Sequence, residues 1–134
     1  MACFLVPTTE AIVTSIVKKG VEAKSDPAAE AKLAESGKFS WKTKLSWLTG
    51  MLWGGAALLC LEHIWHGEVV LYPPFLTAMN DPADTVIMLQ EMSTGGVGMA
   101  VFVTLAWVVM VLIADHAPAI RKALQAGKSA EERA

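Results

Sequence analysis

The chain has 134 residues, of which 54% are hydrophobic and 18% charged, and its formal net charge is −2. The apolar fraction lies above the usual range of soluble globular proteins. No run of basic residues is interleaved with aromatic ones, which argues against a nucleic-acid partner, and two cysteines are too few for a disulfide framework.

Lysine and arginine are confined to the two ends of the chain. None occurs in the 76 residues from Leu45 through Ile120, whereas seven precede that stretch and four follow it. The apolar N-terminal residues have no basic residue ahead of them and are interrupted by Glu10, so we expect no secretory signal. Charged and apolar segments are therefore kept apart, as in a membrane protein.

The first segment, residues 1–20, predicts an amphipathic helix. Ile12, Val13, Ile16 and Val17 form an apolar stripe at helical spacing. The stripe is too short to span a bilayer, so we expect the helix to lie in the interface of the cytoplasmic leaflet or against a partner subunit.

The next three segments predict a linker, a membrane span and a connection. Residues 21–40 are charged and rich in alanine, which is typical of a linker or a solvated helix. Residues 41–66 are long and apolar enough to cross about 30 Å of hydrocarbon, and they predict the first transmembrane helix. Residues 67–81 are largely apolar and contain Pro73-Pro74, which predicts a non-helical connection at the outer face.

Residues 82–117 predict one long helix that contains the second transmembrane helix, at about 95–114, a stretch without charge. This helix is longer than the hydrocarbon is thick, so we expect a bend near residues 95–98, where three glycines lie. Residues 118–134 predict a short solvated tail.

The charge distribution predicts an orientation and a fold class. Basic residues flank both spans, whereas residues 62–91 contain five acids and no lysine or arginine. The positive-inside rule therefore predicts a cell-membrane protein with both termini in the cytoplasm. The expected fold class is an all-α integral membrane protein, a two-span transmembrane helical hairpin with an N-terminal interfacial amphipathic helix.

The outer end of the first span carries a candidate metal site. Glu62 and His66 are four residues apart and His63 and His66 are three apart, so each of these pairs shares a helix face. If the two spans run antiparallel with their inner ends level, Glu91 of the second helix falls in the same layer. Two imidazoles and two carboxylates suit a transition metal.

Other interpretations of the same residues remain open. His63 or His66 would suit haem as an axial ligand, with Met88 or Met92 as the second ligand. A carboxylate beside an imidazole also suits proton or quinone chemistry, and polar residues are common where a helix simply leaves the lipid.

Small residues predict helix contacts within the membrane. Gly50 and Gly54 form a Gly-x-x-x-Gly pair on the first span, and Gly96 and Ala100 form a similar face on the second. The two faces lie at different depths, so we expect each to receive a helix from elsewhere, in a homo-oligomer or from other membrane subunits.

These features predict a small non-enzymatic integral membrane subunit that self-associates or joins a larger membrane complex. One alternative is a redox or metal/haem-binding membrane subunit that uses the outer cluster. Another is an oligomeric cation channel or transporter, whose acidic outer mouth would attract cations.

Overall fold

A computed structural model describes residues 2–132 of the chain, and the described part is helical with no β-strand. The helices are α1 (Leu5–Lys24), α2 (Pro27–Glu35), α3 (Trp41–Trp65), α4 (Pro82–Glu91) and α5 (Val97–Glu132). A 3-10 turn at Thr77–Asn80 precedes α4, and a π-helical turn at Met92–Gly96 joins α4 to α5. Three residues lie outside the described part: residue 1, the first of the predicted interfacial helix, and residues 133 and 134, the last of the predicted tail.

Three of the helices begin at a polar N-cap residue whose side chain accepts a backbone hydrogen bond. Asp26 and Asp81 each accept a hydrogen bond from the backbone N–H two residues later, and each is followed by a proline at the first helical position. The Ser40 hydroxyl accepts the Thr43 backbone N–H and starts α3. No residue of α2 is buried, as expected for a solvated helix in residues 21–40.

Two helical stretches are long and apolar enough to cross a membrane, α3 and the stretch Pro82–Ile120. The first has 25 residues and is about 37 Å long at 1.5 Å per residue. Only 17% of its most apolar window is buried, and only 11% of the corresponding window in Pro82–Ile120. The core helix of a soluble protein would be mostly buried, whereas most of both windows lies at the surface of the described structure.

Helix α1 packs antiparallel to α3 along most of its length. At one end the Phe4 ring meets the His63 ring edge-on, with centroids 5.6 Å apart. At the other end Lys42 Nζ lies 3.7 Å from a Glu22 carboxylate oxygen. This placement differs from the prediction for residues 1–20, because the helix continues to Lys24 and lies beside α3 rather than apart from the spans.

The centre of the bundle is a small apolar cluster shared by α1, α3 and α5. Ala11 and Leu52 are fully buried, Leu48 is nearly so, and Val103 and Trp107 of α5 pack against them. Alanine at position 11 adds little bulk, so the backbone of α1 can approach α3 closely. The three helices thus form one antiparallel bundle in which α1 and α5 run in the same direction.

Residues 2 and 115 lie at opposite ends of this bundle. Ala2 packs with Ala78 and Met88, beside the start of α5. Asp115, near the other end of the apolar part of α5, contacts Lys44 at the start of α3. Helix α1 therefore runs along the bundle between these two ends, and the cytoplasmic location of both termini stays a prediction.

Helices α4 and α5 form one continuous helical rod that is longer than the predicted 82–117. A bend was expected near residues 95–98; the structure has a π-helical turn at Met92–Gly96, after which α-helical hydrogen bonding resumes. Residues 118–132, expected as a tail, continue α5 as helix.

An ion pair joins α3 to α5 at the end of the bundle opposite the N-terminus. Lys44 Nζ lies 2.7 Å from Asp115 Oδ1 and donates a hydrogen bond to Oδ2 at 2.8 Å, whereas Oδ1 accepts none. The Lys44 side chain is 8% exposed, and its ammonium lies 5.1 Å from the centroid of the Trp41 ring. Trp107 Nε1–H donates to the Lys44 carbonyl at 2.7 Å. These contacts place the start of α3 level with residue 115.

We expect Asp115→Leu to lower the free energy of unfolding by about 2 kcal/mol, because it leaves the buried Lys44 ammonium without its counter-charge. The expected loss is smaller than for a fully buried ion pair because the Asp115 side chain is 34% exposed, so that water screens the charge. The double variant Lys44→Met/Asp115→Leu should recover most of the loss, since it removes both charges.

The measurement is unfolding by a denaturing detergent from mild micelles. The matched control is Glu22→Leu, whose exposed pair with Lys42 should contribute less than about 0.5 kcal/mol. A double variant no more stable than Asp115→Leu alone would show that the pair does not join the two helices as described.

Candidate functional site

The C-terminus of α3 is closed by a reversal of the chain at Gly67. Gly67 has φ of +72°, the left-handed conformation that favours glycine. Its N–H donates to the Ile64 carbonyl at 3.0 Å, and the Glu68 N–H donates to the His63 carbonyl at 2.9 Å. This pair of bonds is a Schellman motif. It turns the chain back on itself and brings Glu68 beside His63.

The connection after Gly67 is a narrow loop with an apolar tip. Thr77 N–H donates to the Glu68 carbonyl at 3.0 Å, and Val70 N–H donates to the Phe75 carbonyl at 2.8 Å. The tip is exposed, and Leu71 has 98% of its surface accessible. The loop therefore holds Glu68 in place while presenting apolar residues outward.

His63 is the buried centre of the candidate site, with a side chain only 7% exposed. Its Nδ1 lies 2.7 Å from the Leu59 carbonyl oxygen, which can only accept, so Nδ1 carries the hydrogen of that bond. The other ring nitrogen, Nε2, lies 3.7 Å from a Glu68 carboxylate oxygen. Because the Leu59 carbonyl holds Nδ1–H, Nε2 is the ring nitrogen that faces Glu68 and the one that could bind a metal ion.

Glu62 and His66 lie at the exposed edge of the same site. One Glu62 carboxylate oxygen lies 3.7 Å from His63 Nδ1 and the other lies 3.9 Å from His66 Nε2. Both side chains are more than half exposed. A cavity of about 290 Å³ opens here, lined by Cys3, Leu59, Glu62, His63, His66, Glu68, Gly95 and Met99.

Glu91 lies near this layer, but its role differs from the one expected. The thiol of Cys3 donates to the Glu91 backbone carbonyl at 3.7 Å, and the Glu91 side chain does not line the cavity. The N-terminal end of α1 lies at this point between α3 and the π-helical turn. Glu68 and Cys3 therefore join Glu62, His63 and His66 where the sequence analysis expected Glu91.

The positions of the candidate ligands bear on the metal and haem interpretations. Among the described residues, no three histidine, cysteine or acidic side chains converge closely enough, as they stand, to hold a metal ion. Met88 is buried with Ala2, and Met92 and Phe4 pack against the same cluster. Phe4 of this cluster also contacts the His63 ring, whereas neither methionine lines the cavity at His63.

Gly96, the last residue of the π-helical turn, lies in close contact with the N-terminal end of α1. A Cβ atom at this position would lie 2.9 Å from Val6 Cγ2 and 3.0 Å from the Cys3 carbonyl oxygen. Ala100, one helical turn further, is 7% exposed. The helix received by Gly96, expected from elsewhere, is thus α1 of the same chain.

Gly50 and Gly54 lie on the outward face of α3. A Cβ atom at either position would meet nothing within 4 Å, and both residues are exposed. The buried stripe of the same helix, Leu48, Leu52 and Ala56, faces the bundle on the other side. This glycine face has no partner within the described part of the chain.

Comparison of the chain with protein-family models, curated proteins and solved structures gives no match. The residues and contacts described above are therefore the basis for any inference about function.

Proposed function

We propose that this chain is a small non-enzymatic integral membrane subunit of the cell membrane. The support is the outward exposure of its apolar side chains, among them Leu58, Phe102 and Ile113, which are 70%, 69% and 64% exposed. Soluble monomers rarely expose apolar surface on this scale, whereas lipid covers it without cost.

The proposal places α1 in the bilayer together with α3 and α5. Because α1 lies beside α3 from Phe4 to Glu22, lipid that surrounds α3 also surrounds α1. Its 20 residues are about 30 Å long, of which residues 5–17, ahead of the lysines, make up about 20 Å, and the long lysine side chains would extend from there to the headgroups. The lysines at and after position 18 then lie at the cytoplasmic end and the residues before Glu10 at the outer end, in agreement with the positive-inside rule.

We further propose that this subunit associates with another transmembrane helix through the open glycine face of α3. Gly50 and Gly54 present bare backbone toward the lipid, and such small-residue faces let another helix approach closely. The surface at Gly96, by contrast, is already covered by the N-terminal end of α1 of the same chain. We therefore assign the contact with a neighbouring transmembrane helix to Gly50 and Gly54.

Gly50→Leu and Gly54→Leu should each weaken lateral association about tenfold or more, because the leucine side chain separates the two helix backbones. The measurement is energy transfer between labelled copies, or between the chain and its co-purified membrane partners, as the protein is diluted in lipid. Gly98→Leu is the matched control, since Gly98 on α5 also has open space around it. Association unchanged in both α3 variants would contradict the proposal.

Binding of a divalent transition metal is a second candidate function, favoured by His63. Its Nδ1–H is held by the Leu59 carbonyl, which leaves Nε2 available in the cavity beside Glu68. This is the common arrangement of a metal-binding histidine. Glu62 and His66 are exposed, so their side chains are free to rotate toward a metal ion bound at Nε2.

Titration of the purified protein with Zn²⁺ tests this candidate. We expect stoichiometric binding that His63→Ala weakens tenfold or more, whereas His116→Ala, at the other end of the bundle, leaves the affinity unchanged. Equal affinity in the wild type and the His63 variant would leave the cluster as the polar end of a helix.

A further inference from the structure

Glu10 lies on α1 in the middle of the bundle. The Thr104 hydroxyl of α5 donates a hydrogen bond to Glu10 Oε1 at 2.5 Å. Thr104 is near the centre of the uncharged stretch 95–114. If α5 crosses the bilayer as proposed above, this contact places the Glu10 carboxylate near the middle of the hydrocarbon.

No cation of the described chain neutralises Glu10. No lysine, arginine or histidine of the described residues lies within ion-pair distance of its carboxylate. The nearest basic residue on α1, Lys18, is eight positions away, about 12 Å along the helix, and its ammonium reaches Ser46 instead, at 3.3 Å. A carboxylate at this depth is costly, and such groups usually have a partner.

A groove leads from the lipid-facing surface to Glu10. It encloses about 260 Å³ between α1 and α5, and its lining is Glu10, Val97, Ala100, Val101, Thr104 and Leu105. Apart from Glu10 and Thr104 the lining is apolar, and Ala100 keeps it open. Such a groove suits the methylene chain of a lysine or arginine whose charged end meets the carboxylate.

We infer that Glu10 receives a lysine or arginine from a transmembrane helix of a different protein. A second copy of this chain does not fit, because its residues 45–120 contain no lysine or arginine. The lysines of its α1 lie level with the start of α3, toward the cytoplasmic end. Charge complementarity at mid-membrane depth therefore calls for a hetero-assembly. This inference rests on the proposed membrane position of the bundle.

The test uses a synthetic transmembrane helix of leucine and alanine with one central lysine, and the same peptide with glutamine at that position. Energy transfer between peptide and full-length protein in liposomes gives the two affinities. We expect the wild type to prefer the lysine peptide tenfold or more. Glu10→Gln should abolish the preference, while the amide can still accept from Thr104, so the bundle is retained.

Two further variants separate the effect of the Glu10 charge on peptide binding from the effect of the shape of the groove. Ala100→Leu should weaken binding of the lysine peptide by filling the groove, with the carboxylate still present. Glu22→Gln, which removes an acid at the cytoplasmic end of the same helix, should leave the preference unchanged. Equal affinity of the wild type for the two peptides would overturn the inference and would indicate that Glu10 is neutralised in another way, for example by a bound proton.

The result of the lysine-peptide experiment can be distinguished from the result of the Gly50→Leu and Gly54→Leu association experiment. If the lysine preference is absent while Gly50→Leu still weakens association, only the inference about Glu10 fails. If the preference is present and the glycine variants associate normally, the contact assigned to α3 fails and the groove at Glu10 remains.

Discussion

The N-terminal end of α1 packs against the backbone of the π-helical turn at Gly96, and this contact sets where α1 lies in the bundle. A side chain at this position would collide with Val6 and with the backbone of Cys3. Since the collision is absent, the N-terminal end of α1 lies against the π-helical turn. Phe4 then contacts His63, and one and a half turns further along α1, Glu10 meets Thr104. The contact at Gly96 thus brings α1 beside the His63 cluster and beside Thr104.

The bundle is held by small residues and a few polar bonds rather than by a large core. Alanines at positions 11, 56 and 100 are buried between the helices, and Leu52 is the largest fully buried side chain of α3. The Lys44–Asp115 pair fixes the relative level of α3 and α5 at the other end. Such a core leaves many large apolar side chains on the outside, which is the exposure on which the proposed membrane position rests.

The sequence predicts the helices better than it predicts their partners. The bounds of α3 and the layer of Glu62, His63 and His66 follow from apolar runs and helical spacing. The position of α1 does not, because an apolar stripe is the same whether it faces lipid headgroups or another helix. Glu68 was missed although glycine after a helix is a known signal of a chain reversal. Glu10 was read as an interruption of an apolar stretch, since its contact with Thr104 joins residues 94 positions apart.

A bilayer crossing of α1 beside α3, as proposed above, would place the two termini on opposite sides of the membrane. Protease digestion of sealed inside-out vesicles that contain the chain with a different epitope at each end tests this topology. We expect removal of the C-terminal epitope and protection of the N-terminal epitope, with the reverse pattern in right-side-out vesicles. Removal of both epitopes from inside-out vesicles would contradict it, and would return α1 to the cytoplasmic surface of the membrane.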